Sequence, residues 1–179
     1  MELTREQCLD KLLDAYSHHY DIERDVTVEG GSYPAMAIYY LRDENYLVSR
    51  QHVLSAVENH EYVYFHLAEH LDAEALRRHI EITKADGLGR IHPTKDHMSS
   101  MVTLVVIADT IDEEAKALIK KTRFHKNYRL ALHGWMEYHI AAMELSTNRF
   151  FSNPSGKGAK KNLELNFGSG KNKKGESLK

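Results

Sequence analysis

The motif His66-Leu67-Ala68-Glu69-His70 has the spacing of an inverted zinc-peptidase signature. That chemistry requires the motif to lie in a helix, where residues four apart share a face and two imidazoles reach one zinc ion. The residues at 61–67 are aromatic and apolar as in a strand, and Asp72 is placed to cap the next helix. A strand-to-helix junction would separate the two histidines, so we predict no zinc site here.

The order of the predicted elements resembles that of the PD-(D/E)XK nucleases. Those enzymes hold magnesium with an acidic residue on one strand and a D/E-x-K triplet on the next. The only such triplet in this chain, Glu114-Ala115-Lys116, falls in a predicted helix, and the strand at 61–67 contains no lysine. We therefore do not expect an active nuclease.

Twelve histidines are spread along the chain, which leaves open a site assembled from distant positions, such as His92 and His97 with His66 or His133. Nothing in their spacing selects one set of ligands. The sequence thus assigns no catalytic residue, no metal ligand and no cofactor. It favours a non-catalytic binding or interaction module, and the alternative is a metal-dependent hydrolase with a degenerate PD-(D/E)XK-like or histidine-based site.

A loop at 92–98 and a turn at 133–135 contain the residues best suited to binding a partner: His97, His133, Gly134 and Trp135. A glycine beside the only tryptophan permits a tight turn or the close approach of a ligand. Histidine can donate, accept or titrate near neutral pH, and loops on a rigid scaffold frequently carry binding groups. Alternatively, these side chains close one end of the sheet. We predict a binding site here for an unknown protein or small molecule.

The helices that must position these residues follow from local signals. A capping box at Thr4-x-x-Gln7 predicts an N-terminal helix over about 5–19. Two further helices are expected after Asp72 and after Asp112, with Gly87 ending the first of them.

The strands follow from composition and alternation. The run at 101–108, the most apolar in the chain, predicts a strand that is buried on both faces and central in the sheet. A turn is predicted at 42–45 and a strand at 128–132. The predicted fold class is α+β, with a mixed, mostly antiparallel central sheet and helices largely on one of its faces.

Charge and composition divide the chain into a single domain at 1–154 and a flexible tail at 155–179, rich in Lys, Gly, Ser and Asn. The tail holds seven lysines and two glutamates, so a net charge of −2 for the whole chain leaves about −7 on the domain. An acidic domain disfavours nucleic acid, which we expect to be contacted only through the tail, if at all.

The cellular location is predicted from what the sequence contains. Cys8 is the only cysteine, which fits a reducing compartment, and we expect it to be a small buried side chain. No apolar run approaches the roughly 20 residues of a membrane span, and the first residues do not resemble a secretory signal. We predict a cytoplasmic protein.

Several short motifs follow one another along the chain in a characteristic order. They are Asp21-Ile22-Glu23-Arg24-Asp25-Val26, His97-Met98-Ser99, Ala108-Asp109, Leu132-His133-Gly134-Trp135, Leu145-Ser146-Thr147 and Asn153-x-x-Gly156. Together they resemble a prokaryotic family catalogued only as a domain of unknown function, over about residues 5–162. The resemblance implies no activity. It implies that His97, His133, Gly134, Trp135 and Asn153 belong to the family pattern.

Overall fold

The computed structural model of the protein describes residues 3–46 and 53–168. Within these ranges, helices cover α1 (Arg5–Ser17), α2 (Ala73–Arg90), α3 (Glu113–Lys121) and α4 (Lys157–Phe167). Strands cover β1 (Asp21–Val28), β2 (Gly31–Tyr46), β3 (Val53–Leu71), β4 (His97–Ile111), β5 (His125–Asn127), β6 (Trp135–Glu144) and β7 (Arg149–Ser152). None of the helices in the described ranges combines the length and the hydrophobicity needed to cross a bilayer.

The strands form one mixed sheet in the order β1-β2-β3-β4-β6-β5, with β7 also paired to β6. Four strand pairs are antiparallel, and β4 runs parallel to both of its neighbours, β3 and β6. Parallel neighbours require crossover connections, and α2 and α3 provide them. The predicted α+β class and the central position of β4 are confirmed.

The helices cover both faces of the sheet, so the prediction that they lie largely on one face is wrong. Successive side chains of β4 point to opposite faces. Val105 and Ile107 pack in the cluster that contains α1 and Leu163 of α4. Leu104 and Val106 pack in the cluster that contains α2 and α3. A strand buried on both faces needs an apolar layer against each of them.

Helix α2 is attached to the sheet by hydrogen bonds as well as by apolar contacts. Three of its polar residues, at positions i, i+4 and i+7, meet tyrosine hydroxyls from three different strands: His79 with Tyr33 at 3.1 Å, Thr83 with Tyr138 at 2.6 Å, and Asp86 with Tyr64. These positions share one side of a helix. The inner side of α2 is therefore polar but paired, which satisfies the buried tyrosine hydroxyls.

Gly87 was predicted to end α2, and this prediction is wrong. The residue lies inside the helix. A Cβ atom at this position would approach a side-chain carbon of Val102 in β4 to 2.5 Å. The glycine is therefore used for close packing of the helix on the sheet, and the helix continues to Arg90.

Helix α4 lies within the segment predicted to be a flexible tail, so that prediction is wrong for 157–167. Its Leu163 is 1% exposed and joins the cluster around α1. The remainder of the predicted tail, at 169–179, lies outside the described residues.

The entry into α4 is fixed by Asn153 and Gly156. The Asn153 side chain accepts hydrogen bonds from the backbone N–H groups of Ile140 and Gly156, and donates to the carbonyl of Tyr138. A Cβ atom at Gly156 would lie 2.2 Å from the Ile140 carbonyl oxygen, so only glycine fits there. The motif Asn153-x-x-Gly156 thus has a structural role.

Two smaller predictions are also corrected. The predicted turn at 42–45 belongs to β2, which pairs with β3 without interruption from Ala35 to Asn45. The predicted strand at 128–132 is instead a turn between β5 and β6. Polar and turn-forming residues at 42–45 continue as a strand because a neighbouring strand pairs with them.

Candidate functional site

The loop at 92–98 and the turn at 133–135 lie side by side at the amino-terminal end of β4 and β6. The Nδ1 atom of His97 is 2.6 Å from the carbonyl oxygen of His133. Nδ1 of His133 is in turn 3.3 Å from the carbonyl oxygen of Pro93. The structure therefore brings His97, His133 and Gly134 together, although they are distant in sequence.

Both ring nitrogens of His97 are engaged within the protein. Because a carbonyl only accepts, Nδ1 must carry the hydrogen that it donates to His133. The other nitrogen, Nε2, then accepts from the hydroxyl of Ser100 at 2.8 Å. His97 is also only 3% exposed. Its geometry holds the turn against the strand and leaves no free nitrogen to contact a ligand.

Gly134 is required by the close approach of the two segments. Its φ of 74° lies in the left-handed region. A Cβ atom here would lie 2.3 Å from the carbonyl oxygen of Met98. The glycine allows the turn to press against β4.

The turn itself has an unusual backbone. Arg129, Leu130 and Ala131 have successive φ angles of 46°, 54° and 69°. The left-handed region costs roughly 1–2 kcal/mol for each residue that is not glycine. Backbone hydrogen bonds close the turn at its base, from Tyr128 N–H to Gly134 at 3.0 Å and from His133 N–H to Tyr128 at 3.1 Å. The surrounding contacts, including those of His97, hold the turn in this conformation.

The turn presents apolar side chains to solvent. Leu130 is 94% exposed and Leu132 is 77% exposed, and Met98 in the adjacent loop is 53% exposed. Tyr40 and Leu41 of β2 are also exposed, and Leu41 lies on the same row of the sheet as Trp135, through Asn59 and Ser99. Tyr40 and Leu41 are neighbours in one strand and point to opposite faces of the sheet. We therefore call only Met98, Leu130 and Leu132 the sheet-end surface.

Trp135 lies beside this surface but is half-buried. Its ring stacks on His125 with ring centroids 5.7 Å apart and an angle of 26° between the planes. His97, His133 and Gly134 thus support the turn, whereas the exposed groups are leucines and a methionine that sequence reasoning missed. Leucines in an alternating segment predict burial, and only the folded structure shows that these two are outside.

The charge around the turn is positive. The chain contains no aspartate or glutamate from residue 115 to residue 136, but six lysines and arginines. Lys116 is buried and paired with Glu144 at 3.1 Å, whereas Lys126 and Arg129 are exposed next to the leucines. A basic region therefore adjoins the sheet-end surface on a domain that is acidic as a whole.

The histidines of the zinc-peptidase motif lie in β3, so the prediction that the helical spacing does not hold is confirmed. His66 stacks on His79 with centroids 3.7 Å apart, whereas His70 contacts Thr110 at 2.8 Å and Asp112 at 3.2 Å. In the described ranges, no group of three or more His, Cys, Asp or Glu side chains is arranged to hold a metal ion.

A cavity of about 660 Å³ lies near the carboxyl ends of β4 and β6, between α1 and α4, and its lining includes Cys8 and Asp109. Its charged groups are already paired within the protein. Arg5 bonds Asp109 at 3.0 Å, and the ammonium of Lys11 donates to the Asn166 carbonyl at 2.6 Å. Burial raises the pKa of the Cys8 thiol, which keeps it protonated and unreactive. The cavity has no evident group that would select a ligand.

A family model described as "Domain of unknown function (DUF8052)" matches residues 4–165. No curated protein and no solved structure gives a significant match to the chain.

Proposed function

The chain belongs to the DUF8052 family, as its motifs predicted, and from this premise we propose that it is a non-catalytic interaction module of the prokaryotic cytoplasm. The partner is an acidic protein segment that carries apolar side chains. The observation that carries this proposal is the presentation of Leu130 and Leu132 to solvent on a turn that backbone hydrogen bonds close at its base.

Exposed leucines on a rigid turn favour a protein partner. Burying apolar surface contributes roughly 25 cal/mol per Å², so two leucine side chains and a methionine could supply several kcal/mol to an interface. Apolar side chains that are exposed close together on a folded domain are typical of interaction sites, and Met98 lies in the segment against which the turn at Gly134 packs. The apolar part of the sheet-end surface therefore fits apolar side chains of another protein.

The strained backbone also supports binding. Residues in sparsely populated backbone conformations persist only where their surroundings fix them, and such residues cluster at ligand and partner sites. The backbone hydrogen bonds at the base of the turn reduce the ordering that a partner must impose on Arg129 to Ala131 when it binds.

The positive charge selects the class of partner. Lys126 and Arg129 flank the leucines, so acidic side chains around an apolar centre would complement the surface. Nucleic acid would also be attracted by these charges, but its bases recognise aromatic faces rather than aliphatic side chains. Trp135, the aromatic ring beside the turn, is already stacked on His125. The aliphatic groups favour protein.

The experiment is a selection of random displayed peptides on the immobilised full chain at physiological salt. We expect enriched peptides with Leu, Ile or Phe flanked by Asp or Glu. A Leu130→Ser, Leu132→Ser double variant should lose at least about tenfold in affinity for them, because a few buried side chains dominate most interfaces. Leu165→Ser is the matched control, since Leu165 is 73% exposed on α4, away from the turn.

The outcomes separate the alternatives. Failure to enrich any peptide, or equal affinity of the double variant and the wild type, contradicts the proposal. Binding of single-stranded RNA in place of peptides, with an affinity that falls steeply with salt, would instead identify a nucleic-acid partner.

A further inference from the structure

A second cavity, of about 360 Å³, lies on the side of the sheet covered by α1 and α4, and is independent of the proposed partner surface. It opens between the end of α1 and the start of α4, and its lining includes Tyr16, Tyr20, Glu61, Met101 and His139. Its volume is at the lower end of the range of small-molecule sites.

Strand register places polar groups on the floor of this cavity. Glu61 of β3 pairs with Met101 of β4, which pairs with Glu137 of β6, so these three side chains form one row across the sheet. In the next row on the same face, Thr103 pairs with His139. The rows of Val105 and Ile107 on this face are apolar and pack against α1 and α4, whereas Ser99 and Asn59 form another polar row toward the start of β4. The cavity therefore lies where the hydrophobic layer ends and the polar rows begin.

The carboxylate of Glu61 is held in place by two donors. The Tyr20 hydroxyl donates to Oε2 at 2.6 Å, and the Thr103 hydroxyl donates to Oε1 at 3.3 Å. Burial and the neighbouring Glu61 raise the pKa of Tyr20, which keeps this hydroxyl a donor. A carboxylate has about four acceptor positions, so both oxygens of Glu61 can still accept from a ligand.

On the side of the cavity formed by β6, His139 lies next to a second carboxylate, that of Glu137. Nε2 of His139 lies 3.6 Å from Oε2 of Glu137, and the Ser155 hydroxyl donates to Oε1 of Glu137 at 2.7 Å. Among the described residues, no lysine or arginine lines the cavity. The first turn of α4 contributes a partial positive charge of roughly half a unit, which is smaller than the full charge of one carboxylate. The cavity is therefore net negative.

Aromatic rings complete the walls. Tyr16 and Tyr20 meet edge to face with ring centroids 4.9 Å apart, and Tyr20 also contacts Tyr39 at 5.3 Å. A carboxylate beside aromatic rings recognises a cation through charge-assisted hydrogen bonds and through the negative ring faces. We propose that this cavity binds a small organic cation, an alkylammonium or guanidinium compound, with Glu61 as its counter-ion.

The test uses the full chain and simple probes: propylammonium and methylguanidinium as cations, with propanol and methylurea as neutral molecules of similar shape. We expect saturable chemical-shift changes in the NMR spectra for the cations and none for the neutral probes. Glu61→Gln should weaken cation binding by at least about tenfold, because a charged hydrogen bond is replaced by a neutral one. Glu114→Gln, on the outer surface of α3, is the matched control.

A second variant guards against misfolding of Glu61→Gln. Gly158 lines the cavity, and a Cβ atom there would meet nothing within 4 Å, so Gly158→Leu should fold and obstruct the cavity. Gly89→Leu in α2 has equally open surroundings and should leave binding unchanged. Equal response to cations and neutral probes, or unchanged binding in Gly158→Leu, overturns the proposal. Loss of cation binding does not alter the peptide selection at Leu130 and Leu132, so the two proposals fail separately.

Discussion

Acidification should destabilise the protein through His66. Burial, together with the neighbouring His79 and Arg78, lowers the pKa of His66 to about 4. The pKa of a histidine in an unfolded chain is about 6.5. The unfolded state therefore binds a proton more readily than the folded state between these two values, and stability contributed by neutral His66 is lost as the pH falls through that window.

The magnitude follows from the size of the shift. One pKa unit corresponds to about 1.4 kcal/mol, so complete protonation, across a difference of about 2.5 pKa units, removes about 3.4 kcal/mol from the free energy of unfolding. About 1.4 kcal/mol of this is lost by about pH 5.5, and about 2.5 kcal/mol by about pH 4.5. Burial also lowers the pKa of His79, which stacks on His66. Protonation of His79 therefore also decreases the free energy of unfolding as the pH falls.

The assay is urea denaturation of the wild type and His66→Phe between about pH 7.5 and about pH 4.5. Phenylalanine keeps an aromatic ring against His79 but has no proton to gain. The free energy of unfolding of the wild type should fall by about 2–3 kcal/mol relative to that of His66→Phe. His19→Phe, which alters an exposed histidine, should show no such change relative to the wild type. A difference between wild type and His66→Phe that stays constant over this range refutes the reasoning.

Other predictions test the packing. Val105→Asp should abolish soluble expression, because Val105 is 1% exposed in the central strand and an unpaired buried carboxylate costs several kcal/mol; a normal yield would place the strand elsewhere. Thr83→Val should lower the free energy of unfolding by about 1–3 kcal/mol in urea denaturation, since it leaves the Tyr138 hydroxyl unpaired, and adding Tyr138→Phe should restore part of the loss. Leu163→Ala should cost about 2–5 kcal/mol in the same assay, and no change would show that α4 is not docked.

Local chemistry was sufficient to predict several elements. The capping box of Thr4 and Gln7 forms as predicted, because both partners lie within one helical turn. Asp72 accepts from the N–H of Ala75 at 2.7 Å and starts α2. The largely apolar run of β4 predicted a central strand, since few other environments bury seven successive residues, as they are buried at 102–108.

The candidate site was predicted only in part. The predicted residues His97 and His133 do lie together, and Gly134 has the positive φ that its position in a turn suggested. Their binding role stays a prediction, because the structure gives His97 two internal partners. The exposed Leu130 and Leu132 could not be predicted, since exposure depends on what the rest of the chain leaves uncovered.

The sequence by itself determined where α1, α2 and α3 begin, which strand is central and which family the chain resembles, because these features depend on residues that are neighbours in sequence. Only the tertiary structure decided that helices cover both faces, that the polar side of α2 meets three tyrosines, and that α4 folds. A lysine-rich segment such as 157–167 has few apolar side chains that could bury a helix against the rest of the protein. It is ordered because Leu163 finds a place against α1 and the sheet, and because Asn153 satisfies the backbone where the helix begins.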